Sequence, residues 1–213
     1  MSDDRDAILG RVRAALAGRS GRTDRPAFPD ALSTAAGRRA HADDLSNFRA
    51  NFETAAGRWL ASPGDAVALL RAEGADRAYV DPRLPRALGE ALASAGISVV
   101  RDYERSRADE IGAAFTPATA AVAETGSLVL TDADTSDRLA AVAPWVHVAV
   151  LEPGRVVATL AEMLRALPDD PNVVFVSGPS QTADVEGILI RGVHGPGIQA
   201  CLPMAWRNPG ERD

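Results

Sequence analysis

The sequence predicts an α/β domain with a mostly parallel sheet flanked by helices and an N-terminal helical extension. Three observations carry that expectation. From residue 62 onward, short apolar runs alternate with amphipathic helical stretches, the rhythm of βαβ units. The length of 213 residues suits one such domain with a small appendage. Near residue 60 the composition also changes. Residues 1–60 carry 10 arginines against 8 acids, net +2, whereas residues 61–213 carry 13 against 21, net −8. The expected organisation is therefore a helical extension with a mobile linker over 1–60 and the α/β domain over 61–213.

The elements follow in order. Ala7, Ile8, Val12, Ala15 and Leu16 recur at helical spacing over residues 3–17. Residues 18–40 are rich in Gly, Arg, Pro and Ser and read as a linker. Leu45, Phe48, Phe52, Ala55 and Trp59 then mark one face of a second helix, with Asp43 and Asp44 where the helix dipole favours acids. Ser62-Pro63 is an N-cap followed by proline at the first helical position, opening PGDAVALLRAEG. Strand RAYV, helix PRALGEALASAG and strand ISVV follow, then a charged helix around 104–114. Beyond it come the apolar run AAVAETGSLVL, strand WVHVAVLE, helix VATLAEMLRALP, strand NVVFV and the final run IQACLPM. Such apolar strands suit a sheet covered on both faces.

Composition excludes several classes of function. The N-terminus begins acidic and lacks an apolar leader core, and no apolar run is long enough to span a bilayer, so a cytoplasmic location is expected. A pI near 5.1 and few aromatics argue against nucleic-acid binding. All 23 basic residues are arginine, which excludes a Schiff-base lysine and a Walker-type phosphate lysine. No GxSxG elbow and no GxGxxG after a strand occurs. Cys201 is the single cysteine, so this chain alone supplies neither a disulfide nor a four-thiolate iron–sulfur site. Within IQACLPM it reads as a small buried hydrophobe. Three scattered histidines without metal-ligand spacing give no metal site. His147, alternating with valines, reads as structural, and His41 as a surface residue.

Three turns remain that would put polar groups beyond strand ends, where parallel sheets bind ligands. In the first, Glu124, Thr125, Gly126 and Ser127 interrupt the apolar run. A carboxylate there must find a partner or have its proton affinity raised by desolvation. Glu124 is thus either an acid/base group or the partner of an arginine such as Arg191. In the second, Gly178 and Pro179 close a strand and Ser180 is placed to cap a helix through Ala183, offering free N–H groups to an anion. Thr182 adds a hydroxyl, and Asp184 and Glu186 would accept from a hydroxyl-bearing ligand. In the third, His194 stands between glycines, Gly192-Val193-His194-Gly195, as a loop histidine or a catalytic one.

Together, "AVAETGSLVL" and "SGPSQTADVEGILIRGVHGPG" resemble the LUD-domain family, in its lactate-utilisation protein C branch (the LutC/YkgG type). The resemblance covers roughly residues 60–203. It implies a fold similar to the CoA-transferase and ribose-5-phosphate isomerase type. It also implies a cluster-free component of a system oxidising L-lactate to pyruvate, with iron–sulfur clusters in partner subunits and none in this chain. Glu124 and His194 become the catalytic candidates. Thr125, Gly126, Ser127, Gly178, Pro179, Ser180, Thr182, Asp184, Glu186 and Gly195 become the substrate-binding candidates. This chain departs from many relatives at Gln181, where they carry lysine. The alternative is a stand-alone enzyme or binding protein for a small anionic metabolite, phosphorylated or CoA-linked.

Overall fold

The computed structural model describes residues 2–17, 41–167, 169–183 and 189–206. The linker expected over 18–40, and Asp184 and Glu186, lie outside the described residues. The chain divides into two compact units, residues 1–34 and 35–213. The first contains helix α1 (Ser2–Leu16), which forms where the spacing predicts it, with Ile8, Val12 and Leu16 exposed.

The second unit begins its described part with α2 (Asp44–Thr54), β1 (Arg58–Trp59), α3 (Pro63–Ala72), β2 (Arg77–Val80), α4 (Arg86–Ser94) and β3 (Ser98–Val100). A 3-10 turn over Arg105–Glu110 replaces the charged helix expected there. Then come β4 (Ala113–Ala118), β5 (Ala120–Val122), β6 (Ser127–Thr131), α5 (Leu139–Val142), β7 (Val146–Leu151) and β8 (Val156–Val157). Helix α6 (Leu160–Ala166), β9 (Val173–Val176), β10 (Gln181–Thr182), β11 (Ile190–Arg191) and β12 (Ile198–Pro203) complete it. The expected boundary at residue 60 does not coincide with the compact unit, because α2 and β1 belong to the α/β body. Phe48 and Phe52 of α2 are fully buried in its core.

One sheet runs β1-β12-β7-β4-β2-β3, every pairing parallel. Its first face packs Val146, Val148 and Val150 of β7 and Phe115 of β4 against Leu69, Leu70, Leu88 and Leu92 of α3 and α4. The Ser62 cap that starts α3 is as the sequence predicts. The Asp65 N–H donates to Ser62 Oγ at 3.2 Å, while Asp65 Oδ2 accepts from the Ser62 N–H at 3.1 Å. Such a cap contributes about 1 kcal/mol.

The opposite face is not covered by helices alone. A second, mainly antiparallel sheet, β8-β5-β6-β9, joins α2 and α5 there. The single apolar run AAVAETGSLVL is a hairpin, with β5 and β6 paired antiparallel around the Glu124–Gly126 turn. Trp59 is not on the second helix as its spacing suggested. It lies in β1, still edge-on to Phe48 with ring centroids 6.2 Å apart and under the Arg49 guanidinium.

Candidate functional site

The three motif-bearing turns form one continuous layer. Thr125 Oγ1 and Ser127 Oγ are 2.7 Å apart, and Ser127 Oγ is 2.5 Å from Ser177 Oγ, so a chain of hydroxyls ties the first turn to the second. The Ser180 N–H donates to the Pro196 carbonyl and the Gly192 N–H to the Ser180 carbonyl, both at 2.9 Å, which ties the second to the third. Two glycines explain why the pattern needs them. Gly126 and Gly178 have φ of 65° and 104°, and a Cβ at either would run into the backbone at the C-terminal end of α2. Asn51 of α2 reinforces this docking by donating to the Ala123 carbonyl at 2.7 Å. The motif glycines thus seat a helix against two turns.

The helix expected to start at Ser180 is absent. Gln181 and Thr182 pair with Ile190 and Arg191 as an antiparallel bridge, and the Ser180 N–H is already committed to Pro196. The Ser180 N–H is therefore not available to an anion. Glu124 is half-buried, and its Oε2 accepts from the Leu160 N–H, the first residue of α6, at 3.0 Å. Thr159 caps the same helix through the Glu162 N–H at 3.1 Å. His194 is exposed and makes no hydrogen bond among the described residues. Pro179, Ser180, Thr182 and Gly195 are half-buried around the β10–β11 hairpin, with Gly195 against the Ser180 side chain. The structure thus gathers the backbone of the motifs while directing the Glu124 carboxylate to α6.

The topology marks a second place. The connection leaving β2 runs outward to β3, whereas those leaving β4 and β7 run the other way toward β12. The crevice beyond the carboxyl ends of β2 and β4 is the switch point at which open α/β sheets bind ligands. Asp81 lies immediately after β2, fully buried, and accepts from the Ser136 N–H at 2.8 Å, the Ser136 hydroxyl at 2.9 Å and the Arg83 N–H at 2.9 Å. The Thr135 hydroxyl donates to the Pro117 carbonyl at 3.3 Å. The loop after β6 is thereby fastened over the ends of β2 and β4. It borders a cleft of about 680 Å3 whose lining includes Arg105, Asp132, Asp137 and Arg138. Tyr103 stands near this cleft. Burial first, then the charge of Asp137, push its phenol up, and its hydroxyl has no hydrogen-bond partner among the described residues. Sequence reasoning missed this place. Its one local signal is an aspartate directly after the strand RAYV.

The domain model described as "LUD domain" matches residues 67–201. The chain belongs to the LUD-domain family. Among curated relatives, this LUD protein is 30% identical over 109 residues to "Lactate utilization protein C" of Deinococcus radiodurans, covering 47% of this chain and 51% of the relative. It is 32% identical over 111 residues to "Lactate utilization protein C" of Halalkalibacterium halodurans, covering 47% and 46%. The matched region spans about half the length of these relatives. The crystal structure of a DUF162 family protein from Deinococcus radiodurans superposes with a TM-score of 0.55 at 20% identity, over 75% of this chain and 97% of that one. That likeness confirms the α/β fold with its largely parallel sheet.

Two buried groups of this LUD domain are structural. His147 on β7 is fully buried, with Nε2 2.8 Å from Thr116 Oγ1 and Nδ1 2.8 Å from Gln199 Oε1, so it links β4, β7 and β12. Desolvation pushes it down to about 4, which keeps the imidazole neutral near pH 7. Gln199 donates its own amide to the Ala200 carbonyl, which leaves Oε1 to accept from the imidazole and puts the proton on Nδ1. Burial pushes the Cys201 thiol up, which makes it an inert core group, as the sequence predicts. Among the described residues, no group of three or more His, Cys, Asp or Glu could hold a metal ion, and no helix is long and apolar enough to cross a membrane.

Proposed function

We propose that this chain is a component of a lactate-utilisation system, one that works beside iron–sulfur subunits as L-lactate is oxidised to pyruvate. The observation that carries this reading is the LUD-domain match together with relatives named lactate utilization protein C. Converting lactate to pyruvate removes two electrons and two protons, and a chain whose single cysteine is buried cannot hold a thiolate-ligated cluster to receive those electrons. On this reading the iron–sulfur acceptor belongs to partner subunits. The motif-bearing turns suit such an assembly. They expose His194, and Leu189, Ile190 and Val193 beside it are also exposed. Affinity purification of the tagged chain from cells grown on L-lactate tests this. Recovery of iron–sulfur subunits, with loss of growth on L-lactate when the chain is deleted, is the expected result. Normal growth on L-lactate without the chain would sink the reading.

A second reading has its own support. The cleft of about 680 Å3 is far larger than a three-carbon acid needs. It favours a protein acting on a larger anionic metabolite, phosphorylated or CoA-linked. Glu124, Ser180 and His194 do not line that cleft, so on this reading the ligand meets Arg105, Arg138 and the 132–139 loop instead.

A further inference from the structure

We infer that the cleft beside the 132–139 loop is a binding site for an organic anion with an apolar body, its phosphate or carboxylate held between Arg105 and Arg138. The first support is how the two guanidiniums are presented. Arg138 Nε is 2.9 Å from Asp132 Oδ1, and Asp132 is itself fixed, its Oδ2 accepting from Asn172 Nδ2 at 2.8 Å. Engagement through Nε aims the side chain while leaving its terminal amino groups as donors, the fork that matches carboxylate and phosphate oxygens. The Arg105 side chain makes no hydrogen bond or ion pair among the described residues and lines the same cleft. Two acids share the lining, so its formal charge is balanced, and the anion is recognised by the free guanidinium donors rather than by net charge. Asp132 is engaged as above, and Asp137 Oδ1 accepts from the Leu139 N–H at 2.8 Å.

The second support is rigidity. Besides the Asp81–Ser136 and Thr135–Pro117 bonds, the Ala133 N–H donates to Asp170 Oδ2 at 2.9 Å and the Asp134 N–H to the Thr131 carbonyl. A surface loop fastened residue by residue presents its arginine without an ordering cost on binding. The third support is the remaining wall. Leu130, Leu139, Val142 and Val174 supply an apolar surface beside the charged mouth, the mixture typical of a small-molecule site. A bare inorganic ion would leave that surface unused, which is why the ligand carries an apolar body. This inference is independent of the lactate reading, because its readout is binding by the chain alone.

The test is calorimetric titration of the full chain with phenyl phosphate, inorganic phosphate and benzoate, repeated on Arg105→Gln, Arg138→Gln and, as a control away from the cleft, Arg165→Gln. The expected result is saturable binding of phenyl phosphate, tighter than inorganic phosphate. Each cleft variant should weaken it by about tenfold or more, and R165Q should leave it unchanged. Arg105 is exposed and its side chain bonds to no described residue, so R105Q is expected to stay folded even if R138Q loosens the loop. Absence of saturable binding by phenyl phosphate and benzoate, or binding unchanged in both R105Q and R138Q, overturns the inference. Tighter benzoate than phenyl phosphate binding, lost in the same variants, upholds it with a carboxylate as the headgroup.

Discussion

The motif-bearing turns and the cleft beside the 132–139 loop differ in how they are held. The turns are held by backbone: glycines at positive φ pressed against the end of α2, and carbonyl–amide bonds among Ser180, Gly192 and Pro196. The cleft is held by side chains: Asp81 on Ser136, Asp132 on Arg138 and Asn172, and Thr135 on Pro117. A backbone arrangement leaves a strong sequence pattern, because only glycine tolerates it. A side-chain arrangement leaves almost none, because its partners come from distant segments. The lesson is that the most recognisable residues of this chain mark where it packs most tightly, while the most ligand-like geometry lies in residues with no pattern.

The largest expected effect breaks that comparison if it fails. Gly178→Val places a branched Cβ against the Ala55 carbonyl at a φ of 104°, which should cost on the order of 4 kcal/mol in urea unfolding. A variant as stable as the wild type would mean that the turn is not a packing device. The sheet beneath both regions supplies the next effect. Below about pH 6.5 the unfolded chain binds a proton at His147 that the folded chain refuses until about pH 4. Stability should therefore fall by about 3 kcal/mol across that window and level off below it. The difference in pH-dependent unfolding between the wild type and His147→Gln isolates this contribution, and coincident slopes would show that the imidazole is not held neutral.

Asp81→Asn addresses the cleft. It removes a buried charge accepting three hydrogen bonds, and should cost about 2 kcal/mol. Amide exchange should accelerate at Ser136 while the Ser180 amide keeps its protection. Equal acceleration at both would mean the two regions are one cooperative unit. The smallest effect sharpens the contrast. Ser180 bonds through its backbone and caps no helix, so Ser180→Ala should change stability by less than about 0.5 kcal/mol. A loss of about 1 kcal/mol, the value of a helix cap, would show that its hydroxyl matters.

Much of the fold was legible. The Ser62-Pro63 start of α3, strand RAYV, the end of α4 near Gly96 and the buried His147 and Cys201 follow from local pattern, and the structure places them so. β4 was not legible. It follows a charged stretch and contains Pro117, which argues against a central strand. The structure tolerates it because Phe115 turns its carbonyl toward Asp81, putting Pro117 on that same side, past the end of β2, where no ladder bond is lost. The motif turns were legible as turns, but the helix expected at Ser180 rested on a serine followed by acids, and pairing of Gln181–Thr182 with Ile190–Arg191 overrode that preference. The cleft could not be read, since Arg105, Leu130, Arg138 and Val174 line it from four separate segments of the chain.

The motif turns hold the fold, and the cleft beside the 132–139 loop is the proposed anion site. Amide chemical-shift mapping of the labelled full chain, titrated with phenyl phosphate, separates the two. Saturable shifts are expected at residues 132–139 and at Arg105, with residues 124–127, 178–183 and 192–197 unmoved. Shifts confined to those three turns, with the 132–139 loop silent, would contradict this assignment.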